Sequence, residues 1–506
     1  MKTIFKLFTS KLLIMGIIIL LQLGVFIAAL NLLNDKIPYF YIISGTIAAI
    51  FVLYIVNADI NPVYKVAWII PIIALPLFGA GAYALFGKKK LSRKKRESFI
   101  NATEGINDLL VQNKEIIEKL QEKDSFIYDM ARYIYADSSF PAHKAEEIAY
   151  FKSGEEYFER LKIELLKAEN YIFLEFYIIA TGEMWQSILD ILKQKILEGV
   201  DVRLIYDDVG SLIRLPHNYS QYIESLGIKV FVFNKFKPII DAQLNNRTHR
   251  KIVVIDGKMA FTGGINLADE YINKKKLFGH WKDTGVCING SGVKNFTLMF
   301  LLLWSVKYGK EDYLKYDIKA DNTDGEDYII PFSDSPADNK NVYENAYLKM
   351  IYNAKEYVFI NTPYLILDYE IKTALVTAAR SGVDVRIMVP HTPDKKSVFA
   401  LTKAFYTELI KKGVKVYEYL PGFIHSKLIV ADGKYAIVGT SNIDFRSFYL
   451  HFECGVVIYS KKVAEEITKD YLETTIISRQ ITENMTNYGI VYRLLQAILR
   501  LFAPLL

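Results

Sequence analysis

The sequence predicts an α/β protein made of two duplicated lobes behind an N-terminal membrane region. Three observations predict it. Long apolar stretches fill the first ninety residues. Further on, strand-like apolar runs alternate with segments of helical periodicity, and that pattern occurs twice. A His-x-Lys-x4-Asp signature also occurs twice, once in each copy.

The chain has 506 residues, enough for three or four units. Hydrophobic residues make up 51%, which excludes a disordered or fibrous chain. Lys and Arg total 62 against 56 Asp and Glu, and a net charge of +6 does not suggest a dedicated nucleic-acid binder. The two cysteines, Cys287 and Cys454, lie far apart, so neither a disulfide framework nor a zinc site is expected.

The apolar stretches cover residues 12–33, 38–56 and 67–86. Each approaches the ~20 residues that cross a hydrocarbon core of ~30 Å, and in lipid a helix satisfies its own backbone. A secretory signal peptide is the alternative for the first stretch; its length and the two segments behind it disfavour that. Next come seven cations in nine positions: Lys88, Lys89, Lys90, Arg93, Lys94, Lys95 and Arg96. The positive-inside rule keeps this flank, and everything after it, on the cytoplasmic side of the cell membrane. Lys2, Lys6 and Lys11 pull the N-terminus to the same side, which conflicts with three crossings. Either the stronger cluster decides or one segment does not span. Residues 98–137 read as a mixed-charge helical connector, either a solvated linker or a membrane-proximal helix.

The expected units are a membrane region over 1–87, a basic flank and linker over 88–137, lobe 1 over 138–315 and lobe 2 over 341–480. Between the lobes, 316–340 is turn-rich. The lobes share strand-like runs around Tyr171 and Tyr357, and a GVDVR segment at Gly199 and at Gly382. Residues 481–506 form an amphipathic C-terminal helix that either lies on the membrane or packs against the lobes.

The chemistry lies in the repeated signature. His249, Lys251, Asp256, Gly263 and Asn266 in the first half match His425, Lys427, Asp432, Gly439 and Asn442 in the second, with identical spacing. KIVVID and KLIVAD read as strands ending in Asp-Gly turns. A strand puts His and Lys, two apart, on one face. The glycines allow turns that return each Asn toward that face. Two lobes in pseudo-twofold contact would then offer two His, two Lys and two Asn to one phosphodiester. One imidazole must be neutral to attack phosphorus, and the other protonated to release the alcohol. Asp256 and Asp432 are either catalytic or structural. His143, His217, His280, His391 and His451 fit structural roles.

These motifs resemble the phospholipase D superfamily, whose members carry two HKD motifs; the resemblance spans residues 135–480. Within it, THRKIVVIDGKMAFTGGINLADEY, HWKDTG and FIHSKLIVADGKYAIVGTSNIDFRSFYLHFE resemble the catalytic blocks of bacterial cardiolipin synthases. The resemblance implies two phospholipase D-like lobes, each a mixed sheet flanked by helices, with neither metal nor cofactor. It implies a phosphohistidine on His249, His425 as acid and then base, and Lys251, Lys427, Asn266 and Asn442 holding phosphate. Asp283 and Glu453, which follow their histidines at comparable distances, would orient the imidazoles. The implied partners are phosphatidylglycerol and membrane lipid, not nucleic acid. The implied reaction joins two phosphatidylglycerol molecules into cardiolipin and glycerol. A hydrolytic phospholipase D, a nucleic-acid phosphodiesterase and a degenerate adaptor are the competing readings.

Overall fold

A computed structural model describes residues 24, 37–87, 93–236, 245–309, 313–316, 325–338 and 340–505. It divides into two compact units. One comprises residues 1–90, 236–245 and 500–506; the other comprises 91–235 and 246–499. The apolar stretch 12–33 lies outside the described residues, apart from residue 24.

In the first unit, Ile37–Asn57 is a 21-residue helix, and its Pro38–Asn57 portion is long and apolar enough to cross a membrane. Its Tyr39, Ile42, Ile43, Ile50 and Leu53 are exposed, as lipid-facing side chains would be. The stretch expected as one span over 67–86 is instead two helices, Pro62–Ala74 and Pro76–Phe86. Pro76 is the cause. A proline disfavours helical conformation in the residue before it, and Leu75 sits at φ −140° and ψ 77°. Neither helix alone reaches the length of a crossing. The three helices pack around Tyr83, whose ring meets those of Trp68, Phe51 and Tyr54 at 5.4, 6.1 and 6.3 Å. Gly79 allows the close approach, since a Cβ there would lie 2.5 Å from the Ile72 backbone.

The second unit holds both lobes. Lobe 1 has a seven-stranded sheet in the order 147–151, 285–289, 259–263, 252–255, 171–176, 201–207 and 229–233. Lobe 2 repeats six of these strands in the same order: 453–459, 435–439, 428–431, 357–361, 384–390 and 415–419. In both, the three strands at the GVDVR end run parallel and the rest antiparallel. Helices cover the sheets, so strands such as Ile252–Ile255 and Leu428–Ala431 are buried at every position and read as unbroken apolar runs. Each ends in the expected Asp-Gly turn. Asp256 and Gly257 have φ of 52° and 62°, Asp432 and Gly433 50° and 63°, the left-handed pair a tight hairpin needs.

Three boundaries differ from the sequence reading. The turn-rich stretch 316–340 contains a strand, Tyr328–Asp334, paired along its whole length with Glu453–Tyr459. His143–Lys144, expected in lobe 1, pairs with that strand and so extends the sheet of lobe 2. The linker is not a solvated helix throughout: Ser125–Ser138 buries Phe126, Ile127, Met130, Ala131 and Ile134. Helix Val293–Tyr308 is apolar on every side and buried for most of its length. The C-terminal helix runs over Ile490–Leu501.

Candidate active site

The lobes meet along the two signatures. His280–Lys282 of lobe 1 pairs in parallel with Gly422–Ile424 of lobe 2, the residues just before His425. The His425 N–H donates to the Lys282 carbonyl at 2.7 Å, and the His249 N–H to the Phe452 carbonyl at 2.9 Å. Each motif therefore starts hydrogen-bonded to the segment leading to the other lobe's acidic residue. In that arrangement Lys282 matches Phe452, Asp283 matches Glu453 and Trp281 matches His451.

Sequence order pairs each acid with the histidine before it. The structure crosses them. His249 Nδ1 lies 3.0 and 3.1 Å from the carboxylate oxygens of Glu453, and His425 Nδ1 lies 2.6 Å from Asp283 Oδ2. The cause is the pseudo-twofold axis, which brings the end of one motif block against the start of the other. All four side chains are buried. The carboxylates are themselves held: Asp283 Oδ1 accepts the Thr284 N–H at 2.9 Å, and Glu453 Oε2 accepts the Thr440 hydroxyl. Gly264 makes room for one of them, because a Cβ there would sit 2.0 Å from Asp283 Oδ1.

Lys251 and Lys427 are buried completely or nearly so, and each Nζ donates to the carbonyl of its own motif histidine. Burial pulls Lys251 down to about 8, against the raising pull of Glu453 and Asp283. Burial pulls Lys427 down to about 7, opposed by Asp283 and assisted by the charge of Lys251. Each lysine thus feels acids from both halves, and the four side chains form one cluster. Desolvation also lowers the imidazoles, His249 to about 3 and His425 to about 4. Burial would raise Glu453, but the neighbouring His249 holds it well below the usual carboxylate range. A neutral ring that gives its Nδ1–H to the paired carboxylate keeps its Nε2 lone pair to act.

The remaining expected site residues are committed to the protein. Asn266 Oδ1 accepts the Ile178 N–H at 2.9 Å, and its Nδ2 donates to the Tyr271 hydroxyl at 2.7 Å. Asn442 Nδ2 donates to Asp444 at 3.1 Å, while its buried Oδ1 has no partner among the described residues. Asp256 and Asp432 do not join the cluster. Asp256 sits at the far end of its strand and accepts the backbone N–H groups of Glu169, Asn170 and Tyr171, each at 2.7 Å. Asp432 does the same for Lys355, Glu356 and Tyr357 at 2.8 to 3.0 Å. Both carboxylates fix the start of the neighbouring strand within their own lobe.

Sequence reading missed the aromatic walls. Tyr177 meets the His249 ring edge-on at 5.1 Å, and Tyr271 meets the His425 ring at 5.4 Å. Trp281 lies 5.2 Å from His425, and His451, taken as structural, lies 5.6 Å from His249. Superposing the repeats would have exposed the last pair, since each stands two residues before its acid. His143, His280 and His391 pair with Asn295, Tyr419 and Glu418, outside the cluster. Beneath His249, Arg250 makes a buried two-pronged pair with Glu175, at 3.0 and 2.9 Å, that ties the motif to the sheet.

Comparison with known proteins places this geometry. A family profile described as cardiolipin synthase, PLD-like domain, matches residues 161–276 and 347–474, and one described as phospholipase D-nuclease N-terminal matches 46–88. A cardiolipin synthase of Halalkalibacterium halodurans is 35% identical over 472 residues, covering 91% of this chain and 93% of that protein. The chain belongs to the bacterial cardiolipin synthase family. Another relative in that family, from Geobacillus kaustophilus, is 34% identical over 466 residues, covering 91% of this chain and 92% of that one. An uncharacterized protein of Streptococcus mutans is 43% identical over 460 residues, covering 90% of this chain and 99% of its own. Among solved structures, a phosphatidylserine synthase of Haemophilus influenzae matches with a TM-score of 0.57 at 16% identity, covering 74% of this chain and 97% of that one. That match establishes a shared fold between this cardiolipin synthase family member and a phospholipid enzyme.

Proposed function

We propose that the protein is a membrane-bound cardiolipin synthase. It transfers a phosphatidyl group from one phosphatidylglycerol to another and releases glycerol. The observation that carries this reading is the crossed pair of buried His–carboxylate units around two buried lysines, in a member of the cardiolipin synthase family.

In this mechanism His249 Nε2 attacks the phosphorus of the first lipid. The bond from phosphorus to the glycerol oxygen breaks, and His425 gives that oxygen its proton. The phosphatidyl group stays on His249. The terminal hydroxyl of the second lipid then attacks phosphorus, its proton passes to His425, and the His249–phosphorus bond breaks. Lys251 and Lys427 neutralise the phosphate oxygens, a stabilisation that burial strengthens. The bound phosphodiester in turn raises the lysines and His425 toward their charged forms, which arms His425 as an acid only when substrate is present. Glu453 and Asp283 hold the two rings in the required tautomer. Asn266 and Asn442 contribute donors if their present partners Tyr271 and Asp444 give way. Burial keeps water from the intermediate and favours transfer over hydrolysis.

The helix Ile37–Asn57 and the two short helices behind it anchor the chain in the cell membrane, and the cationic run from Lys88 to Arg96 keeps the lobes on the cytoplasmic side. Both lipids are then already concentrated at the site.

Full-length protein in detergent, incubated with phosphatidylglycerol, tests this by chromatography of the products. Cardiolipin with an equal amount of glycerol is expected. Phosphatidic acid in place of cardiolipin would make the protein a hydrolase. Intact lipid beside a cleaved oligonucleotide would make it a nuclease.

A further inference from the structure

The two halves of the site differ at one matched position. Beside His425 stands Trp281; beside His249 stands His451. Glu453 therefore lies between two imidazoles. Its Oε1 is 3.0 Å from Nδ1 of His249 and 3.7 Å from Nδ1 of His451. The longer distance is beyond hydrogen-bond range, and His451 Nδ1 has no hydrogen-bond partner among the described residues. One ring nitrogen of each histidine and one carboxylate oxygen all fall within 4.8 Å of one another.

We propose that His249, His451 and Glu453 form a binding site for a divalent transition metal of the zinc type, and that its occupation switches the enzyme off. Two imidazoles and a carboxylate are a donor set that zinc accepts, at about 2.0–2.1 Å with a fourth position open. Tetrahedral ligands at that length stand about 3.4 Å apart. The observed 3.0 and 3.7 Å to Glu453 bracket that spacing, and the two ring nitrogens lie within 4.8 Å of each other. The His451 side chain is 13% exposed, against none for Glu453, so it marks the way in from solvent. The other half offers no such site, because an indole N–H is a donor without a lone pair for a metal.

Inhibition follows from the imidazole itself and rests on the role of His249 proposed above. A neutral ring has one free lone pair. When Nδ1 coordinates the metal, the ring proton sits on Nε2, the nitrogen that would attack phosphorus. No proton leaves the ring, and the nucleophile is lost.

Zinc or cobalt chloride, titrated into metal-free full-length protein in detergent, tests the site without reference to the reaction. Calorimetry with zinc should report one ion per chain at micromolar affinity, and cobalt should give a visible absorption band of low-symmetry coordination. His451→Gln should weaken binding at least tenfold and remove the band. His391→Gln, at another carboxylate-paired histidine, should leave both unchanged. Equal binding by wild type and His451→Gln, with both variants melting like wild type, would overturn the proposal. So would zinc binding by wild type with no loss of cardiolipin formation relative to its own metal-free rate. Absence of any lipid turnover would count against the proposed function and leave the metal site standing on its binding data.

Discussion

Glu453 holds the imidazole of His249 from the opposite lobe, 204 residues later in the chain, with both carboxylate oxygens within 3.1 Å of Nδ1. Asp283 mirrors it on His425. Each motif histidine therefore depends on the opposite lobe for its acidic partner.

Glu453→Gln and Asp283→Asn should each reduce kcat by about 100-fold or more, since an amide in place of the orienting carboxylate favours the wrong tautomer and loses the charge that supports an imidazolium. Melting temperatures should stay near wild type, because amide and carboxylate have the same shape. Steady-state assays with phosphatidylglycerol decide this; a variant that keeps near-normal kcat would exclude the carboxylate from orienting its ring.

Removal of either ring should be more severe. His249→Ala and His425→Ala should each lower turnover by at least about 1,000-fold. A chelator should leave the metal-free enzyme at full rate. The two arms are read in the same chromatographic assay, and strong inhibition by chelator would contradict a reaction that depends on histidine alone.

Asp256→Ala should behave differently. It strips three strand-initiating N–H groups of their acceptor, at a cost of about 2–4 kcal/mol. A clear drop in melting temperature is expected, with kcat of the folded protein nearly unchanged. A large fall in kcat without loss of stability would return Asp256 to the chemistry.

The pH dependence has a definite sign. Burial places His249 and His425 at about 3 and 4, below the ordinary histidine value near 6.5. Between those limits the unfolded chain binds more protons than the folded one, so stability falls as pH drops from 6.5 toward 4. Replacing both rings with Gln should flatten that part of the melting-temperature profile. The lysines, at about 8 and 7, act on catalysis at the other end: kcat/KM, which reports the free enzyme, should fall as pH rises through that range, while kcat holds to higher pH.

Much of this was legible in the sequence because duplication repeats its signals. The matched strands and the Asp-Gly turns lie where local pattern puts them, whereas His249, Lys251, His425 and Lys427 stand just ahead of Ile252–Ile255 and Leu428–Ala431 instead of on them. The crossing of Asp283 and Glu453 was not legible, since pairing along the chain and pairing across a twofold axis leave the same spacing. His451 stayed hidden because a lone histidine carries no signal without its counterpart Trp281. Strand Tyr328–Asp334 lay inside a turn-rich stretch, where tertiary pairing overrode composition. At Pro76 the apolar stretch divides into two helices, although Pro71 is accommodated inside the first of them.

The exchange of carboxylates also fixes what a fragment of this protein can be. A severed half would keep its imidazole and lysine but lose the acid that steers them, so it would be inert however well it folded. Two halves made as separate polypeptides would regain chemistry only by finding each other. A chain with one such motif could assemble this machinery only by embracing a second copy of itself.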